Sequence, residues 1–258
     1  MFAYDAHTHS RQSDGRDSLE ENVRAAEAAG LELVVATDHF RPDRMDLRDY
    51  ARAVTNLDSQ AAVRVVPGLQ CTVQDGEGRL LLRDGEAALV QYVMAGLGGG
   101  TRSIATETPA SLDRFIAILF HALQTAVANP LVDALAHPFN LGRFPASLTP
   151  GQLPRSALRE LAAAMFEHDV AFEIGNRMYW WFPDLPIRQF ELEYADVLAL
   201  FGAMNVKFVV GSDAHSCDAV GNDRWCQRIM HLAGIEKSQV VDLPRRFGAG
   251  PGEGVPRA

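Results

Sequence analysis

"LELVVATDHF", residues 31–40, is the stretch on which the reading of this chain turns. An apolar run of strand length ends at Ala36–Thr37, and an acid–histidine pair, Asp38–His39, follows at once. Strands buried on both faces read as continuous apolar runs, and a βα barrel gathers its chemistry at the C-terminal strand ends. The same punctuation recurs. "FAYDA" (2–6) leads into His7 and His9, "LVDALA" (131–136) into His137, and "VKFVVG" (206–211) into Asp213 and His215. "VRVVPGLQ" (63–70), "ALVQYVMAGL" (88–97) and "VAFEI" (170–174) bring the runs to seven.

Helical patterns separate most of these runs. Ser18 and Glu21 stand at capping-box spacing ahead of a helix that Gly30 stops. Residues 43–60, 111–128, 155–169 and 190–205 read as further helices, whereas "QDGEG" (74–78) reads as a turn. No linker-like break interrupts 1–245. The expectation is an α/β chain with a single domain over 1–245, a distorted seven-stranded (β/α)7 barrel of TIM-barrel type. A doubly wound open sheet is the rival that periodicity alone does not exclude. Residues 246–258, Gly/Pro-rich and without apolar anchors, are expected to be a disordered tail.

Composition narrows the function. The chain has 258 residues, 47% of them hydrophobic, and a formal charge of −9. No Lys/Arg-rich run stands out, which argues against nucleic acid as a partner but not against a small phosphorylated substrate met by local cations. The cysteines, Cys71, Cys217 and Cys226, form no CxxC pair, so a reducing, cytoplasmic setting is expected. The N-terminus lacks a signal-peptide pattern, and no apolar run approaches the ~20 residues of a membrane span. Oligomeric state leaves no mark in the sequence.

Of eight histidines, five (His7, His9, His39, His137, His215) follow apolar runs, while His121, His168 and His231 lie in helical patterns as surface or core residues. Neutral imidazole and carboxylate are the ligands that first-row divalent ions favour. His-x-His on a strand directs both rings to one side, and the acid–His pairs at Asp38–His39 and Asp213–His215 occupy equivalent places in other units. A metal centre on one barrel face is expected.

The ordered set "DAHTH", "SDG", "TDH", "PGLQ", "AHP", "EIGN" and "GSDAH" resembles the PHP (polymerase and histidinol phosphatase) family, in the layout of its stand-alone bacterial phosphatases. The resemblance runs from residue 5 to about 215 and implies a seven-stranded barrel that hydrolyses phosphate esters with up to three divalent ions (Zn, Mn or Fe). By resemblance His7, His9 and Asp213 hold the first ion, and Asp14, His39 and His215 hold another. Asp14 also has the composition of a turn residue before glycine. The family places a bridging Glu where this chain has Gln70, and an uncharged amide bridges two cations poorly. The fourth run ends in "AGLGGG" with no ligand before Glu107, so the remaining position keeps only His137. Two well-formed metal sites and a weak or empty third are expected.

The implied chemistry is attack of a metal-activated water on phosphorus, with Asp213 and His137 in catalytic roles and His137 placed to protonate the leaving oxygen. Arg177 and Arg143 follow the sixth and fifth runs and could clamp phosphate, though either reads equally as a loop charge. Glu173 could orient a ligand histidine. "MYWWFPDLP" (178–186) could roof the pocket or simply cover the barrel rim, and Cys217 reads as a small buried residue. Two other readings stay open: a catalytically weak metal- or ligand-binding domain, and a hydrolase of amide or lactone bonds.

Overall fold

Each strand of the sheet pairs in parallel with its successor in the chain, so the sheet order is the sequence order. In the computed structural model, which describes residues 2–248, the elements are β1 (Tyr4–Thr8), α1 (Leu19–Ala28), β2 (Leu33–Ala36), α2 (Leu47–Asp58), β3 (Arg64–Thr72), α3 (Asp84–Ala87), β4 (Tyr92–Gly96), α4 (Leu112–Val127), β5 (Ala134–Ala136), α5 (Arg155–Glu167), β6 (Ala171–Gly175), α6 (Ile187–Ala203), β7 (Phe208–Gly211), α7 (Arg224–Ala233) and α8 (Leu243–Phe247). This is a nearly closed, TIM-like βα barrel, and the open doubly wound sheet is excluded by its topology. The capping box of α1 forms as its spacing requires: Glu21 N donates to Ser18 Oγ at 3.2 Å and Ser18 N to Glu21 Oε2 at 2.8 Å. Only the four-residue α3 lies between β3 and β4, in keeping with the turn read at 74–78.

Closure between β7 and β1 depends on a side chain. Among the described residues the two strands share no ladder; an isolated bridge, Thr8 to Ala214, joins β1 to the residues just past β7. The buried Asp5 carboxylate supplies what the ladder lacks. Its Oδ1 accepts from His7 N at 3.1 Å and Ser212 N at 2.9 Å, and its Oδ2 accepts from Gly221 N at 2.8 Å. Buried backbone N–H groups need such partners.

The barrel interior is filled by Tyr4, Leu33, Val35, Val66, Tyr92 and Met94. Its floor is α8: Leu243 and Phe247 join the same cluster, and Phe247 meets Tyr92 edge-on at 6.3 Å between ring centroids. Arg246 pairs with Asp133 at 2.6 Å. Arg246 and Phe247, counted with the tail in the sequence, therefore belong to the barrel floor, while residues 249–258 of that tail lie outside the described residues. Larger apolar layers between strands and helices surround this interior.

One glycine carries the sheet past a tight place. β3 pairs with β2 through residue 67 and with β4 from residue 68. A Cβ at Gly68 would stand 2.7 Å from Val35 Cγ1 and 3.1 Å from Tyr92 O, so a side chain there would collide with both neighbours. Beyond this passage β3 delivers Gln70 to the top of the barrel.

Candidate metal centre

The strand ends bring their polar side chains together as the barrel predicts. β1 carries a register irregularity between Asp5 and Thr8, and His7 within it and His9 just past it turn their rings to one side with Nε2 atoms 2.9 Å apart. Asp213, just past β7, has a left-handed backbone (φ 54°), a conformation Asp tolerates better than most residues. Its Oδ1 lies 3.5 Å from His9 Nε2 and 3.7 Å from His7 Nε2. These three buried residues place ligand atoms within 4.8 Å of one another.

A second group adjoins the first. His9, Asp14 and His39 also bring ligand atoms within 4.8 Å, and Asp14 Oδ2 is 3.5 Å from both His39 Nε2 and His215 Nε2. The loop that carries Asp14 is held by Asp38, whose carboxylate accepts from Ser10 N (2.7 Å), Ser10 Oγ (2.8 Å) and Ser13 Oγ (2.6 Å). Asp38 thus builds the loop while its neighbour His39 faces the centre. Gly15 is required by close approach, since a Cβ there would lie 2.4 Å from His9 O. The turn chemistry of "SDG" and the placement of Asp14 among the histidines are two parts of one arrangement.

Electrostatics set the protonation states. Burial opposes charge on His7, yet the Glu173 carboxylate, 2.6 Å from Nδ1, outweighs it and pushes the imidazole up to about 10. Burial pulls His9 down to about 3, and burial also lowers His39 and His137. Burial works against the Asp213 and Asp14 carboxylates, but hydrogen bonding to His9 and His215 respectively, with further imidazoles nearby, holds both below the usual carboxylate range. His215 is raised, its burial overcome by Asp14 and Asp213. The lowered imidazoles of His9 and His39 face ionised carboxylates, as a divalent cation requires, and the raised His7 and His215 would give up a proton on binding one. His9 Nδ1 and His39 Nδ1 are buried without a hydrogen-bond partner, and His7 Nε2 faces His9 Nε2, Gln70 Oε1 and Asp213 Oδ1 with at most one proton to share. The donor set fits a cation.

Gln70 and His137 complete this face differently. Gln70 Oε1 is 3.0 Å from His7 Nε2, and its Nε2 is 2.8 Å from His137 Nε2. Glu173, fully buried in the middle of β6, also accepts from His137 N at 2.5 Å and so fixes two histidines with one carboxylate. Arg177 reaches the centre: its Nη1 donates to Asp213 O at 3.2 Å. His215 Nδ1 lies 3.0 Å from that same carbonyl and 3.0 Å from Arg177 Nη1. If His215 Nδ1–H donates to the carbonyl, its Nε2 lone pair is left facing Asp14.

Arg143 sits farther out, exposed, with its guanidinium 3.9 Å above Trp180 and its Nε donating to Trp180 O. Trp181 flanks His137 at 5.7 Å between centroids, so the aromatic stretch does border the site, while Tyr179 and Trp180 are exposed at its rim. Cys217 is half-buried, and its N–H donates to Asp17. The sequence did not single out Asp5, although its place two residues before His7 of His-x-His was the available signal. Ser10 and Ser13, which hold Asp38, carried none.

No protein-family model matches this chain. It is 26% identical over 242 residues to a protein named "Probable phosphatase" from Thermoanaerobacter sp. (strain X514), covering 92% of this chain and 89% of that one. A protein of the same name from Caldanaerobacter subterraneus subsp. tengcongensis is 27% identical over 243 residues, covering 93% and 85%. Among solved structures, the "putative histidinol phosphatase hisK" of Listeria monocytogenes superposes with a TM-score of 0.63 at 14% identity, over 86% of this chain and 99% of that one. A chain of the archaeal ribonuclease P complex with mature tRNA gives 0.55 at 17% identity, over 95% and 94%. These structural likenesses show a shared fold.

Proposed function

We propose that this chain is a metal-dependent phosphoesterase of PHP type, acting on phosphomonoesters or small phosphodiesters in the cytoplasm, with two divalent ions drawn from Zn, Mn and Fe. The observation that carries the reading is the convergence of His7, His9 and Asp213, beside His9, Asp14 and His39, at the C-terminal mouth of the barrel. The order of the sequence motifs and the curated relatives named phosphatase support it. Divalent ions held there would supply Lewis-acid charge that acidifies water and neutralises phosphoryl oxygens.

The protein's own groups do the rest. Asp213, His7 and His9 hold one position, and Asp14, His39 and His215 the other, with His9 Nδ1 3.6 Å from Asp14 so that its ring adjoins both. Glu173 keeps His7 from rotating by taking its Nδ1–H, leaving Nε2 toward the centre. The chain's net charge of −9 repels a phosphate dianion at long range, so capture rests on local cations. Arg177, fixed through Asp213 O, carries a guanidinium in contact with the centre and binds a phosphoryl oxygen. Arg143, stacked on Trp180, extends the positive rim and meets the outer part of the substrate. His137, beside Trp181 and held at Nε2 by Gln70, borders the leaving-group side. Nucleic acid is not the substrate on this reading.

The test is turnover of aryl phosphate monoesters and diesters by the purified chain with Mn²⁺, Zn²⁺ or Fe²⁺, beside His9→Ala and Asp213→Ala and a panel of amides and lactones. Metal-dependent phosphatase turnover that falls to background in both variants is expected. Turnover of the amide or lactone panel alone, or none that responds to metal and variant, overturns the proposal.

A further inference from the structure

The pair Gln70–His137 stands where a third ion of the resembled family would sit, and its chemistry there is not that of a metal site. His137 is 7% exposed, and its Nε2, the atom that would ligate, lies 2.8 Å from the carboxamide nitrogen of Gln70. No acidic or imidazole side chain arrives from β4. That strand ends at Gly96, where a Cβ would press to 3.1 Å on Gln70 Nε2 and 3.4 Å on His137 Cε1. Bare backbone at Gly96 is what lets the amide reach the imidazole. The backbone of His137 is pinned as well, by its N–H to Glu173 Oε2 and a positive φ of 32°.

We infer that Gln70 is a positioning residue that replaces an ion: in the metal-loaded protein its Oε1 faces the His7–His9–Asp213 position and its NH2 donates to His137 Nε2. His137 is thereby fixed as the Nδ1–H tautomer and withheld from metal. The inference rests on the metal reading proposed above, because the cation decides which way the amide points. His7 Nε2 and His9 Nε2 must both turn lone pairs toward an ion, so the neighbouring amide presents oxygen, not hydrogen, to the same point. The NH2 end then has one acceptor within reach, His137 Nε2, and an imidazole accepting at Nε2 carries its proton on Nδ1. That Nδ1 is buried without a partner. An unsatisfied donor there is a smaller penalty than an amide N–H directed at a dication in a dry site.

The experiment uses the full chain without substrate, so it does not depend on turnover. Ions per chain are counted by elemental analysis after equilibrium dialysis against Mn²⁺, for wild type, Gln70→Glu and Gln70→Leu. Long-range ¹H–¹⁵N spectra of the Zn²⁺-loaded wild type and Gln70→Leu then report the state of His137, assigned by difference with His137→Gln. The wild-type spectrum needs no substitution at Gln70 and stands even if a variant folds poorly. Expected are a wild-type His137 in the Nδ1–H form with an uncoordinated Nε2, a mixture of tautomers in Gln70→Leu, and one more ion per chain in Gln70→Glu. A zinc-coordinated His137 in wild type, an unchanged tautomer in Gln70→Leu, or an unchanged count in Gln70→Glu overturns the inference and leaves the phosphoesterase reading standing. A wild-type chain that binds no ion overturns both.

Discussion

Replacing Glu173 by Gln alters one atom of a fully buried side chain and tests how the histidines are held. The carboxylate accepts twice, from His7 Nδ1 at 2.6 Å and His137 N at 2.5 Å. A carboxamide has one acceptor atom, so whichever N–H it keeps, the other meets an NH2 group. The loss is one hydrogen bond to a charged acceptor, about 1.5–3 kcal/mol. On metal affinity, partners of this kind are worth about 10–100-fold, or ~1.4–2.8 kcal/mol at 1.4 kcal/mol per tenfold. Calorimetric titration of the metal-free protein with Mn²⁺ should show that weakening for Glu173→Gln. A pH series adds a signed check. The folded His7 pKa, about 10, lies above its unfolded value, so its stabilisation is complete below about pH 6.5 and is lost as pH rises toward about 10. The metal-free wild type should lose stability across that window, and Glu173→Gln should show a flatter profile. Equal metal affinity in the two proteins, together with superimposable pH profiles, would refute the account of Glu173.

Other perturbations separate the parts of the molecule. His9 belongs to both ligand groups and His39 to one, so His9→Ala should release all bound metal and His39→Ala only part, read by elemental analysis. Phe247→Ala empties the barrel floor beneath Tyr92; a buried Phe→Ala change costs about 3–5 kcal/mol, which at about 2–4 °C per kcal/mol lowers the melting temperature by roughly 6–20 °C in a thermal scan. Asp5→Asn places an NH2 against one of three backbone N–H groups at the seam, and urea melts should show a loss of about 1–3 kcal/mol. Chelation should destabilise the metal-loaded chain by about 2.7 kcal/mol when free metal stood at 100 times Kd, and an unmoved melting point would refute a metal centre built on the folded state.

Much of the architecture was legible because burial leaves a direct trace. Strands covered on both faces must be apolar throughout, so β2 and β7 announced themselves, and Ser18 and Glu21 marked the start of α1 by local geometry alone. α8 escaped notice, since a five-residue helix flanked by glycine-rich sequence has too few apolar positions to show a period. Its anchor, Phe247, is meaningful only once Tyr92 stands opposite.

The ligand types at the strand ends were likewise fixed by sequence. His7, His9, His39, Asp213 and His215 follow apolar runs, and the parallel topology obliges such positions to share a face. What each neighbour does was decided only by tertiary structure. Asp38 and Asp213 look equivalent in the sequence, yet Asp38 is consumed by Ser10 and Ser13 while Asp213 faces three imidazoles. Gln70 read simply as a missing charge, whereas in the fold it is a hydrogen-bond link between His7 and His137 beside a bare Gly96. The reason is physical: residue type sets which bonds a side chain can make, but hydrogen bonds and coordination act over about 3 Å, and the partners at that distance lie 25 or more residues apart in the chain.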